Sequence, residues 1–148
     1  KDLYRELRLF EENPLSNIAV RTVGEGNFSH WIATIIGPPG SPYEEGFFNI
    51  DIIFPDDYPR VRPTLKMLTP IYHFNFWDNG NICIDVLSKW QPTMNMYALL
   101  VTISALLENP YPDSPVPSKR AHAVLYKTNR PQYDIEARRH TREHASSW

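Results

Sequence analysis

The spacing of hydrophobic positions changes along the chain, and the changes divide it into helical and extended segments. In the first dozen residues Leu3, Leu7 and Phe10 recur at the spacing of one helix face, and Pro14 ends the pattern. From residue 18 to residue 68 apolar and polar residues alternate instead, which is typical of half-buried strands. The pattern predicts an amphipathic N-terminal helix followed by a sheet.

Four alternating runs lie in this extended region, separated by turns rich in glycine and proline. Such connections are too short for crossover helices, so neighbouring strands are expected to run antiparallel. The predicted inward faces are Ile18/Val20, Trp31/Ala33/Ile35, Phe48/Ile50/Ile52/Phe54 and Leu65/Met67. The sequence therefore predicts a four-stranded antiparallel meander.

The C-terminal part of the chain returns to helical spacing. Residues 94–108 are apolar over most of a helix circumference, which indicates a central helix buried against the sheet. The proline-rich residues 109–117 cannot continue that helix, and two further helices are predicted over residues 118–127 and 131–145. These elements predict an α+β fold in a single domain over residues 1–148.

Composition favours a soluble globular protein that acts on proteins or small molecules. The net charge of −2 lacks the basic excess of nucleic-acid-binding domains, so nucleic acid is not an expected partner. No apolar run approaches the roughly 18 residues that span a bilayer, so no membrane is expected either. With one cysteine and a charged helical pattern at the start instead of a signal sequence, we expect a location in the cytoplasm or nucleus. A monomer is the default expectation.

Residues 69–92, between the predicted sheet and the buried helix, include a long stretch without regular periodicity. They hold the only cysteine of the chain, Cys83, and its densest run of aromatic, amide and turn residues. Function concentrates on irregular segments that a rigid frame holds in place. Cys83 is therefore a candidate nucleophile, although a lone cysteine is also often a small core residue.

Two chemistries can be built around Cys83. A cysteine hydrolase needs a strongly activated thiolate, and His73 and Asn75 can be interpreted as parts of a Cys-His-Asn set. His73 lies in the same loop as Asn75, however, where a histidine is better explained as a structural brace. A weakly activated thiol can instead accept an acyl group from a thioester and pass it on, with Asn75 either stabilising the oxyanion or tying the loop together.

An amine acceptor would need help to lose its proton. Lysine has a reference pKa of about 10.4, so only about 10⁻³ of it is neutral near pH 7. Asp85, two residues after Cys83, and Asp113-Ser114 in the proline-rich loop are candidates to orient the amine and receive the proton.

An ordered series of short motifs runs through the chain. They are Gly37-Pro38, Ser41-Pro42-Tyr43, Phe54-Pro55, Tyr58-Pro59, Tyr72-His73-Phe74-Asn75, Asn79-Gly80-Asn81-Ile82-Cys83-Ile84-Asp85-Val86-Leu87, Trp90, Pro92, Leu106-Leu107 and Asn109-Pro110-Tyr111-Pro112. In this order they resemble the ubiquitin-conjugating enzymes over essentially the whole chain. The resemblance implies the UBC fold, which has the same α+β elements as the pattern above.

The resemblance also implies an acyltransferase with a cysteine thioester intermediate. Cys83 would carry the C-terminus of ubiquitin, and Asn75 would stabilise the oxyanion or brace the loop. Asp85 and Ser114 would flank the incoming lysine. No bound cofactor or metal is implied, because ATP is used upstream by the activating enzyme.

The partners implied by the resemblance are ubiquitin or a ubiquitin-like protein, the activating enzyme, a ubiquitin ligase and protein substrates. The first helix would meet the activating enzyme and contribute to ligase contact, with Lys1 and Arg5 on its basic stripe. The ligase surface would also include Arg60 and the segment Pro92-Thr93.

Around the site, the resemblance implies structural roles for His73 and Trp90. Three positions depart from the family pattern, and one of them is Arg60, which stands where many members that use RING ligases have an aromatic residue. Phe74 replaces the usual proline, which removes a constraint on φ beside Asn75, and Trp90 follows Cys83 by one residue fewer than is common. Two alternatives therefore stay open: conjugation of another ubiquitin-like modifier, and a catalytically weak scaffold that binds ligases or ubiquitin.

Overall fold

The structure is a computed structural model that describes residues 3–83, 87–88 and 90–146. Two of the predicted site residues, Lys1 and Asp85, lie outside the described residues. The elements, in chain order, are α1 (Leu3–Glu12), β1 (Ile18–Thr22), β2 (His30–Ile36), β3 (Phe47–Ile53), β4 (Thr64–Met67), α2 (Met96–Glu108), a 3₁₀ turn (Pro117–Lys119), α3 (Arg120–Thr128) and α4 (Arg130–His144).

The four strands form one antiparallel sheet in the order β1-β2-β3-β4. Trp31 of β2 pairs with Ile52 of β3, and both side chains are fully buried. Leu65 and Met67 of β4 continue this buried face. The period-two pattern correctly predicted which side of each strand enters the core, and the predicted α+β meander is confirmed.

The central helix α2 begins two residues later than the periodicity predicts. Asn95 is extended, and its side chain accepts a hydrogen bond from the Ala98 N–H at 2.8 Å, so it caps the helix. The helix buries most of its circumference in the same core as the sheet, and Val101 lies on its exposed side.

The C-terminal helices differ from their predicted bounds by one or two residues. Pro117 opens a 3₁₀ turn, so α3 begins only at Arg120. The side chain of Asn129 accepts a hydrogen bond from the Gln132 N–H, and α4 begins directly after it. Arg138, Arg139 and Arg142 of α4 are exposed.

A buried carboxylate joins α1 to the rest of the fold. Glu6 accepts a hydrogen bond from the Tyr58 hydroxyl at 2.6 Å and another from the Met96 N–H at 2.8 Å. A carboxylate is favoured at the first turn of a helix, where backbone N–H groups lack partners. Among the described helices, none has the length and apolar character to cross a membrane.

Candidate active site

A short hairpin after β4 carries the candidate nucleophile. Within it, the Trp77 N–H donates to the Asn81 carbonyl at 2.8 Å, and the Gly80 N–H donates to the Trp77 carbonyl at 2.9 Å. At its base, the Cys83 N–H donates to the Asn75 carbonyl at 2.9 Å. The hairpin therefore places Asn75 and Cys83 opposite one another at its base, eight residues apart in sequence.

The turn of this hairpin lies directly against the edge strand β4. The Met67 N–H donates to the Gly80 carbonyl at 2.8 Å, and Gly80 has a φ of +93°. A Cβ at this position would lie 2.1 Å from the Met67 carbonyl oxygen. Only glycine fits both the positive φ and this close approach.

Asn75 is fully buried, and its side chain is fully hydrogen-bonded. The amide NH₂ donates to the carbonyls of Tyr111 at 3.0 Å and Ser114 at 2.9 Å. The amide oxygen accepts from the Tyr111 N–H at 2.8 Å. An asparagine amide has two N–H donors, and both are engaged by the proline-rich loop. This arrangement is that of a brace, and an oxyanion role would require one of these bonds to break.

His73 makes hydrogen bonds with both ring nitrogens, and these fix the segment next to Asn75. Its Nδ1 accepts a hydrogen bond from the Asn75 N–H at 3.1 Å, and its Nε2 donates to the Leu106 carbonyl at 3.0 Å. The ring is 1% exposed, and burial lowers its pKa to about 4. His73 is therefore neutral at pH 7, with its proton on Nε2. In this state both ring nitrogens make hydrogen bonds with backbone groups, which is a structural role.

Phe74 contributes packing where the family usually has a proline. Its ring is fully buried and lies 5.4 Å from that of Tyr126 and 5.8 Å from that of Tyr133, which belong to α3 and α4. Its carbonyl accepts a hydrogen bond from the Val116 N–H at 2.8 Å. Hydrogen bonds and aromatic contacts thus fix the segment around Phe74 without the φ constraint that a proline would add.

Cys83 is 5% exposed, and it lines a groove of about 450 Å³. Ser114, another predicted catalytic residue, lines the same groove. The other lining residues are Arg62, Thr64, Leu65, Trp77, Asn81, Ile82, Leu87, Pro115, Val116 and Pro117. A chain in the groove, which both apolar and polar side chains line, would therefore have access to the cysteine.

The Asp113 side chain makes a contact outside the groove that Cys83 lines. Its carboxylate forms an ion pair with Lys127 at 2.6 Å, and it is not among the residues that line the groove. Of the pair Asp113-Ser114, the structure thus brings only Ser114 to the groove of Cys83.

The remaining predicted site residues lie away from the groove. The Trp90 indole N–H donates to the Pro59 carbonyl at 2.9 Å, beside the Tyr58 ring. Pro92, Thr93 and Arg5 are exposed. Arg60 is exposed as well and pairs with Asp57 at 3.2 Å, so its positive charge is partly compensated.

Three residues of the site were missed by the sequence analysis as functional candidates. Tyr111 supplies two of the backbone partners of Asn75, and Arg62 and Trp77 line the groove. Their positions depend on contacts between distant segments, for which no local pattern exists. Among the described residues, no cluster of three or more His, Cys, Asp or Glu side chains could hold a metal ion.

Comparisons with known proteins agree on one family. The family model described as ubiquitin-conjugating enzyme matches residues 2–141. A crystal structure from Plasmodium yoelii, whose protein was assigned as a ubiquitin conjugating enzyme, superimposes with a TM-score of 0.86 at 35% identity. The match covers 99% of this chain and 94% of that one. The family resemblance of the sequence is confirmed, and this chain belongs to the ubiquitin-conjugating enzyme family.

Proposed function

We propose that this protein accepts ubiquitin on Cys83 as a thioester from the activating enzyme and transfers it to a lysine, usually with a ubiquitin ligase. The observation that carries the proposal is the position of the chain's only cysteine on the wall of the groove that also contains Ser114. The family to which the chain belongs supports the same chemistry.

Loading proceeds by thioester exchange. The Cys83 thiolate attacks the carbonyl carbon of the thioester on the activating enzyme, a new C–S bond forms, and the cysteine of the activating enzyme leaves as a thiolate. The reaction exchanges one thioester for another, so ATP is not consumed at this step. The thiol needs access and position, which the groove and the Cys83–Asn75 backbone bond provide.

Transfer proceeds by attack of a neutral amine. The lysine nitrogen forms a C–N bond to the carbonyl carbon, the C–S bond breaks, and Cys83 leaves as a thiolate while the amine loses a proton. Ser114 lies in the groove where it can help orient the amine, and Asp85, two residues after the cysteine in the sequence, is the proposed proton acceptor. Asn75 contributes by fixing the Tyr111–Ser114 loop, through its two bonds to that loop's carbonyls.

The partner surfaces are proposed on faces that remain exposed. Arg5 on α1 would contact the activating enzyme, as would Lys1. A ligase would contact Arg60 and the segment Pro92-Thr93. Exposed charges of this kind chiefly accelerate association, so we expect them to affect the rate of partner binding more than the chemistry.

A charging assay tests the proposal. The protein is incubated with activating enzyme, ATP and ubiquitin, in parallel with other ubiquitin-like modifiers, and the products are separated with and without reductant. We expect a reductant-sensitive band, one modifier heavier, that disappears in Cys83→Ala. In Cys83→Ser the band should persist in reductant, because an oxyester replaces the thioester.

The modifier that forms the thioester with Cys83 identifies the conjugation pathway in which the protein acts. A band with a different modifier and none with ubiquitin would move the protein to that pathway. No band with any modifier, from a sample whose thermal unfolding shows a folded protein, would overturn the enzyme proposal and favour the scaffold alternative.

A further inference from the structure

The acyl transfer proposed above needs a hydrogen-bond donor that Asn75 does not offer. When an amine attacks the thioester on Cys83, the carbonyl oxygen becomes negative in the tetrahedral intermediate, and a donor close to that oxygen stabilises it. An asparagine amide has two N–H donors, and those of Asn75 go to the carbonyls of Tyr111 and Ser114. As long as these buried hydrogen bonds persist, the donor to the oxyanion comes from another group in the groove.

Asn81 supplies a second amide on the wall of the groove that Cys83 lines. Its side chain is exposed and makes no hydrogen bond with any residue in the described part of the chain. Its backbone is held on both sides, since the Asn81 N–H donates to the Asn79 side chain at 3.0 Å and the Asn81 carbonyl accepts from the Trp77 N–H at 2.8 Å. An ordered backbone therefore carries an amide whose two N–H donors are available to a ligand.

The pairing of the hairpin places the side chains of Asn81 and Cys83 on the same side of the chain. Asn81 forms a β-bridge with Lys66 of β4, and Ile82 forms one with Phe76. Side chains alternate along such an extended segment, and here Asn81 is exposed while Ile82 packs in the core at 4% exposure. Alternation thus gives Asn81 and Cys83 the same direction, with their Cα atoms about 7 Å apart.

We propose that Asn81 is a catalytic residue, whose side-chain amide donates a hydrogen bond to the thioester carbonyl oxygen as the tetrahedral intermediate forms. The inference rests on the proposed function, because it assigns a group to that reaction. The amine nitrogen bonds to the carbonyl carbon, and the electron pair of the C=O bond moves to the oxygen, which accepts from Asn81. When the carbonyl re-forms, the C–S bond breaks and Cys83 leaves as a thiolate. The amine gives its proton to the proposed acceptor, Asp85.

The two asparagines of the hairpin differ in burial and in bonding. Asn75 is fully buried, and its amide makes three hydrogen bonds with the backbone of residues 111–114. Asn81 is exposed, and its amide bonds to none of the described residues. Loss of the Asn81 amide should therefore change the reaction with little effect on folding, whereas loss of the Asn75 amide should change both.

Single-turnover discharge of Asn81→Leu tests the assignment, because leucine has about the size of asparagine but no donor. The enzyme is charged with ubiquitin to completion, and EDTA is added to remove the Mg²⁺ that the activating enzyme needs. Decay of the thioester is then followed over a range of free lysine concentrations. We expect the maximal rate to fall roughly 10- to 100-fold and the half-saturating lysine concentration to stay the same. The fall is smaller than for a buried oxyanion hole, because the groove is open to solvent.

Hydroxylamine separates stabilisation of the oxyanion from orientation of the lysine. This small amine attacks the same carbonyl carbon, but it has no side chain for a residue of the groove to orient. If Asn81 donates to the oxyanion, Asn81→Leu should slow discharge onto hydroxylamine and onto lysine by the same factor. A variant that is slow with lysine and normal with hydroxylamine would show that Asn81 orients the amine, and this result would overturn the assignment.

Two further variants serve as comparisons. Asn81→Gln keeps an amide on a longer side chain and should discharge faster than Asn81→Leu. Asn13→Asp, which removes an exposed amide outside the groove, is the matched control and should discharge at the wild-type rate. The midpoint of thermal unfolding should stay within about 2 °C of the wild type in both Asn81 variants.

The outcomes distinguish this inference from the proposed function. A protein that does not form a thioester with any modifier refutes the proposed function itself. A protein that forms the thioester, and whose folded Asn81→Leu variant discharges at the wild-type rate, refutes only the role of Asn81. A large loss of stability in both Asn81 variants would likewise refute it, because the side chain would then support the fold.

Discussion

Two walls of the same groove are built in opposite ways. The anchored wall, Cys83 and Ser114, is tied to Asn75, since the Cys83 N–H donates to its backbone carbonyl and the Ser114 carbonyl accepts from its side chain. The open wall consists of Arg62 and Trp77. Among the described residues, the only hydrogen bond that either side chain makes is the long one that Arg62 donates to the Pro63 carbonyl. Both walls line one groove.

The difference separates geometry from recognition. Reacting atoms must be held within a fraction of an ångström, which requires buried hydrogen bonds on every side. Groups that recognise a ligand can stay exposed, because their partners arrive with the ligand. We therefore expect changes in the anchored wall to affect folding and chemistry together, and changes in the open wall to affect what enters the groove with little effect on stability.

The largest effect is expected from Asn75→Asp. The substitution keeps the shape of the side chain, but it places a carboxylate oxygen against the Tyr111 and Ser114 carbonyls, which lose their donors. Because each unsatisfied buried group costs about 1–3 kcal/mol, the free energy of unfolding should fall by roughly 4 kcal/mol. Transfer should also fall, by roughly 10²-fold, because the Tyr111–Ser114 loop is no longer held in position. Urea denaturation and single-turnover discharge measure the two effects.

Asn13→Asp is the matched control for this change. Its amide also donates to a backbone carbonyl, that of Leu9 at 3.2 Å, but the pair is exposed, so we expect a loss below about 1 kcal/mol. A stable Asn75→Asp variant with impaired discharge would contradict the bracing role. The oxyanion role would then be the better explanation.

The second-largest effect is expected in acid, where protonation of His73 lowers the free energy of unfolding. Burial lowers the pKa of this histidine from 6.5 to about 4, so the unfolded chain takes up a proton before the folded one does. The stabilisation that the folded protein gains from neutral, buried His73 is complete above pH 6.5, and it is lost as the pH falls from 6.5 to about 4. It amounts to about 3 kcal/mol.

Two further histidines, His122 and His140, also reduce the free energy of unfolding in acid. Burial, and then the charge of Lys119 for His122 and of His144 for His140, lower the pKa of each below its usual value. Titration of the imidazole Hε1 resonances by NMR, together with denaturation at several pH values, assigns each contribution. A His73 resonance that titrates near 6.5 in the folded protein would contradict the proposed tautomer and its hydrogen bonds.

The third effect concerns the turn that places the anchored wall on β4. In Gly80→Ala the new Cβ combines a positive φ with a clash against the Met67 carbonyl, so we expect a loss of roughly 2–3 kcal/mol. Gly24→Ala is the matched control, because Gly24 has a φ of +82° with no atom within 4 Å of the new Cβ. It should cost only about 1 kcal/mol. Equal losses in the two variants would show that the turn can move away from β4.

The smallest effect is expected on the open wall. Arg62→Gln removes only the 3.4 Å hydrogen bond within the chain, so thermal unfolding should change by less than about 0.5 kcal/mol. A large loss of stability would mean that Arg62 supports the fold, and the contrast between the two walls would be wrong.

Much of the fold could be predicted from the sequence because its signals are local. Alternation identified the buried faces of all four strands, and the turn residues Asp78-Asn79-Gly80-Asn81, a local signal of the sequence, form the tip of the hairpin that carries Cys83. The helix starts were less accurate. Single side chains such as Asn95 and Asn129 decide them, and hydrophobic periodicity does not report capping.

The candidate site was predictable only in part. Cys83 stands out because it is the only cysteine, in an irregular segment. Whether Asn75 braces or catalyses could not be derived from the sequence, since its partners lie 36 and 39 residues away. Arg62 gave no signal at all, because an arginine near an edge strand resembles any solvated charge until the groove is seen.

The sequence by itself determined the elements, their order and the family, because periodicity, turn residues and motifs act between close neighbours in the chain. The tertiary structure alone decided the protonation state of His73, the bonds of Asn75 and the neighbours of Arg62. Each of these depends on burial or on a partner from a distant segment, and burial and long-range contact exist only once the chain has packed.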